Sequence, residues 1–156
     1  MAELKHHLES IGFSGVKTYI QSGNLVFGSE ENSPEKVRTS IEEKILSEYG
    51  FEADVLIRLP DEITKIIAGN PFADRDLERL YVTLLAEEPA EAHIEKLKTF
   101  DHSPEEFFLI GKTIYFYAPN GYGRAKMNNN FFESKLKVKA TTRNWKTINV
   151  LAEMAM

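Results

Sequence analysis

Apolar positions in the first half of the chain switch repeatedly between helical and strand spacing. Val37, Ile41 and Ile45 repeat every four residues behind Ser33-Pro34, which is a side-chain cap followed by proline at the first helical position. The elements predicted from this half are a helix ending at Gly12, strands at Val16–Ile20 and Asn24–Phe27, a helix from Pro34 to Gly50, a strand at Ala53–Leu59, and a short helix from Pro60 to Ile67.

The second half begins near Leu80 with a run of strand-forming residues. Gly111-Lys112 separates two apolar runs and predicts a hairpin. The predicted elements are a strand at Leu80–Leu85, a helix at Glu88–Phe100, strands at Glu106–Ile110 and Thr113–Tyr117, a helix at Met127–Leu136, and a final helix capped by Thr141 or Thr142. That cap would place Arg143 and Lys146 in or near the first turn of the final helix.

The order of elements predicts an α+β chain made of two similar halves. It reads α-β-β-α-β, a linker helix, and then β-α-β-β-α-α. Each half resembles the split βαβ unit, so we expect two ferredoxin-like (alpha-beta plait) subdomains in tandem, over residues 1–78 and 79–156. The first half lacks the N-terminal strand of that unit, which is a central strand.

Composition narrows the class of protein. With 156 residues, 42% apolar and 28% charged, the chain has the size and balance of a soluble globular protein. The absence of cysteine excludes disulfides, thiolate nucleophiles, iron–sulfur clusters and cysteine-bound zinc. The N-terminus has no apolar signal-peptide core, and no apolar run approaches the ~18 residues of a membrane span. We therefore expect a cytoplasmic location.

Charge is distributed unevenly along the chain. Between Lys112 and Lys146 there are eight basic residues and one acid, Glu133, whereas the whole chain has 19 basic and 24 acidic residues. A segment of +7 therefore accompanies a remainder of −12, which favours an anionic ligand or partner.

Seven residues form the predicted ligand site. A helix N-terminus attracts anions, and a cation there opposes the helix dipole unless an anion binds, so Arg143 is the leading candidate. The glycine-rich segment Gly121 to Lys126 could present backbone N–H groups to a phosphate. Charge would come from Arg143, Arg124 and Lys126, and orienting hydrogen bonds from Asn144, Gln21, Ser22 and Asn24.

These residues also have structural explanations that involve no ligand. Arg143 could pair with a carboxylate, Trp145 could belong to the core, and the glycine-rich segment could be a plain connection. The polar side chains at Gln21 to Asn24 could satisfy their own turn. Ser22 has no recognisable base, and the four histidines lack ligand spacing, so we expect no metal and no cofactor.

The ferredoxin-like order invites comparison with RNA-recognition modules, which stack bases on the aromatic side chains of their sheet. Leu80-Tyr81-Val82 fits the first strand of that pattern weakly, and Tyr115-Phe116-Tyr117 supplies aromatic side chains on a neighbouring strand. The consensus around Gly111 to Phe116 does not match, and alternating aromatic residues in strands usually serve packing.

Several segments together resemble the bacterial domain-of-unknown-function family 1697. They are Met1-Ala2-Glu3-Leu4, the run from Thr18 to Phe27, Asn70-Pro71-Phe72, and the run from Thr141 to Thr147. The resemblance implies tandem ferredoxin-like subdomains and no established activity. Relatives typically begin with a further strand and an Arg-Gly-Ile-Asn-Val-Gly-Gly loop. The resemblance and the element count thus lead us to expect that Met1 is an internal or trimmed start.

Three functions remain open. The leading hypothesis is a binding module for a small anionic or phosphorylated ligand or a nucleic-acid backbone. The second is an enzyme of unknown reaction that uses the same residues as electrostatic stabilisers. The third is an interaction scaffold without a ligand.

Overall fold

The computed structural model describes residues 2–19, 23–100 and 103–155. Over these residues the chain is a mixed α/β protein with six α-helices and two antiparallel sheets. Its contacts divide it into two units, residues 1–64 with 149–156 and residues 65–148. In the described part of the chain, no helix combines the length and apolarity needed to cross a membrane.

The first unit contains a two-stranded sheet and helices on either side of it in sequence. The elements are α1 (Ala2–Ser10), β1 (Ser14–Tyr19), β2 (Asn24–Gly28), α2 (Pro34–Tyr49) and the start of α3 (Pro60–Ala68). Helix α2 has both predicted ends: the Ser33 side chain accepts a hydrogen bond from the Lys36 N–H, and Gly50 adopts a left-handed conformation (φ 76°). The core comprises Leu8, Phe13, Val16, Val37, Ile41 and Ile45.

The strand expected at Ala53–Leu59 is wrong, because no ladder partner lies beside it among the described residues. Side chains still alternate as in a strand, and Ala53, Val55 and Ile57 pack against the core of the first unit. Carboxylates bind two of the backbone N–H groups instead. The Val55 N–H donates to Glu42 at 3.3 Å, and the Leu59 N–H donates to Glu62 at 2.8 Å.

The second unit is built on one four-stranded antiparallel sheet. Its elements are β3 (Leu80–Leu85), α4 (Glu91–Lys98), β4 (Glu106–Ile110), β5 (Thr113–Tyr117), α5 (Asn129–Leu136) and β6 (Ala140–Asn144). The strand order is β4-β5-β3-β6, so β4 and β6 are the two edges. The predicted hairpin is confirmed, since Ile110 pairs with Thr113 across Gly111-Lys112.

Side chains of this sheet alternate between two buried faces. The face covered by α4 and α5 carries a core of Leu85, Leu97, Ile114, Phe116, Ala118, Met127, Phe132 and Leu136. On the opposite face, Val82 and Tyr115 are buried. The Tyr115 hydroxyl donates a hydrogen bond to the Ile66 carbonyl at 2.6 Å. This contact ties the sheet to the end of α3.

The predicted start of the final helix is wrong by several residues. Thr141 to Asn144 belong to strand β6, and the helix, α6, is Trp145–Met154. The Asn144 side chain is the cap, because its Oδ1 accepts a hydrogen bond from the Thr147 N–H at 2.8 Å. Arg143 therefore lies in a strand, and the helix-dipole argument for it fails, whereas Lys146 does lie in the first turn.

Candidate functional site

Arg143 is a half-buried cation on an edge strand. It pairs with Val82 across the ladder, so its side chain lies on the sheet face opposite α4 and α5. Its Nη1 donates to Thr141 Oγ1 at 2.5 Å and to the Thr142 carbonyl at 3.0 Å. Burial lowers the pKa of the Arg143 guanidinium, because a poorly solvated site disfavours the charged form.

The residues beside Arg143 have architectural roles. Asn144 caps α6, and its side chain cannot share a sheet face with the adjacent Arg143. Thr142 links two strands and a helix. Its hydroxyl lies 2.8 Å from that of Thr83 on β3 and donates to Asn129 Oδ1 of α5 at 2.8 Å. Trp145 is buried.

The glycine-rich loop from Gly121 to Lys126 ends at two backbone N–H donors, those of Lys126 and Met127. Their partner is a carboxylate of the chain itself. The Lys126 N–H donates to Glu105 Oε2 at 2.8 Å, and the Met127 N–H donates to Glu105 Oε1 at 3.0 Å. Glu105 is only 7% exposed. An internal anion therefore occupies these two donors.

The basic side chains of the loop lie on a different element from Arg143. Arg124 ends a short 3₁₀ turn, Tyr122–Arg124, and its side chain is exposed. Lys126 is also exposed, and its Nζ donates to the Ser103 carbonyl at 3.4 Å. Lys135 on α5 lies over the ring of Phe100, 4.4 Å from its centroid. The basic segment is thus spread over a loop, a helix and a strand.

Of the remaining predicted ligand residues, the structure describes Asn24, which lies in the first unit. Asn24 is 5% exposed, and its amide donates to the Tyr19 carbonyl at 3.0 Å, so it stabilises the β1–β2 turn. Gln21 and Ser22 lie outside the described residues.

The aromatic side chains of β3 and β5 do not form an open stacking platform. Tyr81 faces α4 and α5 and lies against Tyr122, with ring centroids 4.9 Å apart. Tyr115 is on the other face and is 3% exposed. Phe72 stacks on Tyr117 with centroids 5.7 Å apart. Because these rings are buried or covered, the arrangement does not favour base stacking.

Metal ligands are also dispersed. Within residues 2–19, 23–100 and 103–155, no group of three or more histidine, aspartate or glutamate side chains is placed to hold a metal ion.

Glu105 is the residue that sequence reasoning missed. The signal that could have found it is strand alternation. Phe107 and Leu109 face the helix-covered core, and Glu105 continues the same alternation by two residues. A carboxylate on a buried face must find hydrogen-bond donors, and the N–H groups of Lys126 and Met127 supply them.

Comparison with known proteins gives a family and a fold. A family model described as "Protein of unknown function (DUF1697)" matches residues 1–115. Among solved structures, the conserved bacterial protein SP0830 from Streptococcus pneumoniae is similar over 100% of this chain and 88% of its own, with 21% sequence identity and a TM-score of 0.78. At that identity the likeness concerns the fold alone. A search of curated proteins gives no match.

Proposed function

The chain belongs to the DUF1697 family, whose description assigns no activity, and from its own side chains we propose that it is an anion-binding module centred on Arg143. The observation that carries the proposal is the half-buried guanidinium of Arg143 on the edge strand β6.

Burial makes a cation costly, and an arriving anion reduces that cost. The pKa of Arg143 is lowered by burial, so its charged form is destabilised in the ligand-free protein. A phosphate or carboxylate beside the guanidinium reverses this effect, since a planar guanidinium binds such groups through paired hydrogen bonds. The excess of basic residues between Lys112 and Lys146 adds a positive electrostatic potential, which also attracts an anion.

The loop residues have a secondary part in this proposal. Arg124 and Lys126 contribute exposed charge, while the backbone donors at Lys126 and Met127 already hold Glu105. Asn144 holds the start of α6 and thereby positions the end of β6. The proposed site does not include Gln21, Ser22 or Asn24.

An anion that binds only the folded protein raises its melting temperature. The shift corresponds to roughly 2.7 kcal/mol when the ligand is present at 100 times its dissociation constant. We expect phosphate, a nucleotide or a short RNA to raise the melting temperature above that in chloride at matched ionic strength. The measurement is thermal unfolding of the wild type, Arg143→Gln and Lys139→Gln.

Lys139→Gln is the matched control because it removes the same charge from an exposed side chain near the start of β6. The Arg143 variant should lose most of the anion response and the Lys139 variant little of it. Equal melting temperatures across the ligand panel, or equal responses of the two variants, would rule out a site at Arg143.

We also infer that the second unit is a ferredoxin-like subdomain and that the first unit is related to it. Support comes from the order β3-α4-β4-β5-α5-β6 and from the strand order β4-β5-β3-β6 in one antiparallel sheet. In the first unit, the β1–β2 pair and the alternating side chains at Ala53, Val55 and Ile57 support the comparison. The division into halves at residues 78 and 79 stays a prediction.

A further inference from the structure

The two edges of the four-stranded sheet differ in how their outward backbone groups are satisfied. On the β6 edge, side chains of the chain itself bond to these groups. The Ala140 N–H donates to Glu133 Oε2 at 2.9 Å, and the Ala140 carbonyl accepts from Asn129 Nδ2 at 3.1 Å. The Thr142 carbonyl accepts from Arg143 Nη1 at 3.0 Å. Backbone groups that already have partners cannot pair with a further strand, so this edge is protected.

The β4 edge is open at Leu109. Gly111-Lys112 is a two-residue turn, and such a turn closes with a hydrogen-bonded pair, here Ile110 with Thr113. Hydrogen-bonded pairs alternate along an antiparallel ladder, so Phe107 and Leu109 direct their N–H and C=O groups away from β5. The described ladder of β4 is with β5 alone, and no described residue bonds to the outward groups of Leu109.

The side chains of β4 are also accessible and apolar. Phe108 and Ile110 lie on one face of the strand, and both are more than half exposed. On the other face, a groove of about 620 Å³ separates β4 from α4 and is lined by Phe107, Leu109 and Ile94. The groove leaves room for a strand beside β4. The strand itself has neither a proline nor a break in its register, two features that protect other edge strands.

We propose that β4 is an interface between two copies of this chain, which pair antiparallel about a two-fold axis at Leu109. In such an interface the same surface serves both subunits. Leu109 lies opposite Leu109 of the second copy, and their outward N–H and C=O groups exchange two hydrogen bonds. The two four-stranded sheets thereby become one continuous sheet. The interface lies on the edge opposite Arg143 and does not depend on anion binding there.

This register brings the exposed apolar side chains together. Phe108 lies opposite Ile110 of the second copy, and Ile110 lies opposite its Phe108. Both pairs flank a hydrogen-bonded pair, in the positions of an antiparallel ladder where opposite side chains are closest. Pairs of an aromatic and a β-branched side chain stabilise sheets. Beyond them, Glu106 approaches Lys112 of the second copy, which has the opposite charge.

Other registers match less well. A shift by one residue places Leu109 opposite a residue whose N–H and C=O groups already bond to β5. A shift by two residues in either direction places an exposed apolar side chain of one copy opposite Glu106 or Lys112 of the other. β4 is therefore complementary to itself in one register, which favours a second copy over an unrelated strand.

Sedimentation velocity of the intact chain tests the interface over concentrations from about 1 µM to about 1 mM. We expect a reversible monomer–dimer equilibrium. Phe108→Glu and Ile110→Lys should each weaken dimerisation at least about tenfold, because symmetry introduces every substitution twice. Phe51→Glu is the matched control. It removes a ring of similar exposure from the first unit and should leave dimerisation unchanged.

An equimolar mixture of the two variants tests the register. In the mixed dimer, the introduced glutamate lies opposite the introduced lysine, and the remaining Phe108 lies opposite the remaining Ile110. The mixture should therefore dimerise at least about fivefold more tightly than either variant alone.

Four results would overturn the proposal. They are a monomer at every concentration up to about 1 mM, association that continues beyond a dimer, a wild-type dimer that neither substitution weakens, and a mixture no tighter than its components. Circular dichroism and urea unfolding show whether each variant is folded. If Phe108→Glu does not fold because Phe108 also contacts Phe72, Ile110→Lys still decides whether β4 forms the interface.

Discussion

Glu105 and Glu106 are neighbours in the chain with opposite environments. Glu105 is 7% exposed, and its carboxylate accepts two backbone hydrogen bonds. Glu106 is more exposed, and its carboxylate forms an ion pair with Arg75 at 2.7 Å on the other face of the sheet. Strand alternation explains the difference. The Glu105 side chain lies on the same sheet face as Phe107 and Leu109, and the Glu106 side chain lies on the same face as Phe108. The position of a glutamate within the pleat therefore decides whether its side chain is buried or exposed.

Replacing Glu105 with glutamine should destabilise the protein. The amide group has one acceptor oxygen, so one of the Lys126 and Met127 N–H groups would face an NH₂ group. Leaving a buried donor unpaired costs about 1–3 kcal/mol. Urea unfolding at neutral pH measures the change.

Glu106→Gln is the matched control for that experiment. It makes the same chemical change at an exposed ion pair, where the expected loss is about 0–1 kcal/mol. Equal losses in the two variants would contradict a special role for the Glu105 carboxylate.

At the scale of elements, the boundary between β6 and α6 is set by a single side chain. Thr141, Thr142 and Asn144 are all acceptable caps by residue type. Strand pairing with β3 decides among them, because Thr142 lies opposite Thr83 and bonds to its hydroxyl. Asn144 is the last residue of the β3–β6 ladder, and its side chain therefore caps α6.

Two substitutions of Asn144 should therefore distinguish the contribution of the capping hydrogen bond to stability from that of a charge at the helix N-terminus. Asn144→Ala removes the acceptor of the Thr147 N–H and should cost about 0.5–2 kcal/mol of unfolding free energy. Asn144→Asp keeps the acceptor and places a negative charge at the helix N-terminus. This charge should raise the free energy of unfolding by about 0.3–1 kcal/mol.

Asn130→Ala, at an exposed position in the first turn of α5, is the control and should be neutral or slightly stabilising. Chemical unfolding of the three variants gives the comparison. A stable Asn144→Ala protein would place the cap elsewhere.

Elements with complete local signals were predictable from the sequence. Helix α2 has its cap, its proline and its terminal glycine, and the β4–β5 hairpin has its two-residue turn between apolar runs. Ala53–Leu59 has the same alternation as a strand but no partner, and alternation cannot report pairing. The partners of Asn24, Lys126 and Asn144 could not be predicted for a similar reason, since donors and acceptors are known by residue type but their partners depend on the fold.

At the scale of the whole molecule, one exposed apolar surface lies on the β4 edge. Ile110 is 56% exposed and Phe108 is 51% exposed, on an edge strand that can pair with other chains. Such a surface promotes association at high concentration unless something covers it.

Ile110→Lys should reduce concentration-dependent light scattering while changing the unfolding free energy by no more than about 0.5 kcal/mol. Ile114→Lys, on the adjacent strand but fully buried, should lose at least about 3 kcal/mol. A large loss in the Ile110 variant would mean that this side chain is part of a packed core rather than an open edge.

The carboxylate of Glu105 acts as a ligand that is permanently tethered to its own binding loop. Glu105 lies 21 residues before Lys126 in the same folded chain, so its effective concentration at the loop is set by the fold and does not depend on the composition of the surrounding solution. A free anion must outcompete that group to reach the Lys126 and Met127 N–H groups. The two N–H groups are thus insensitive to ordinary variations of anion concentration in solution.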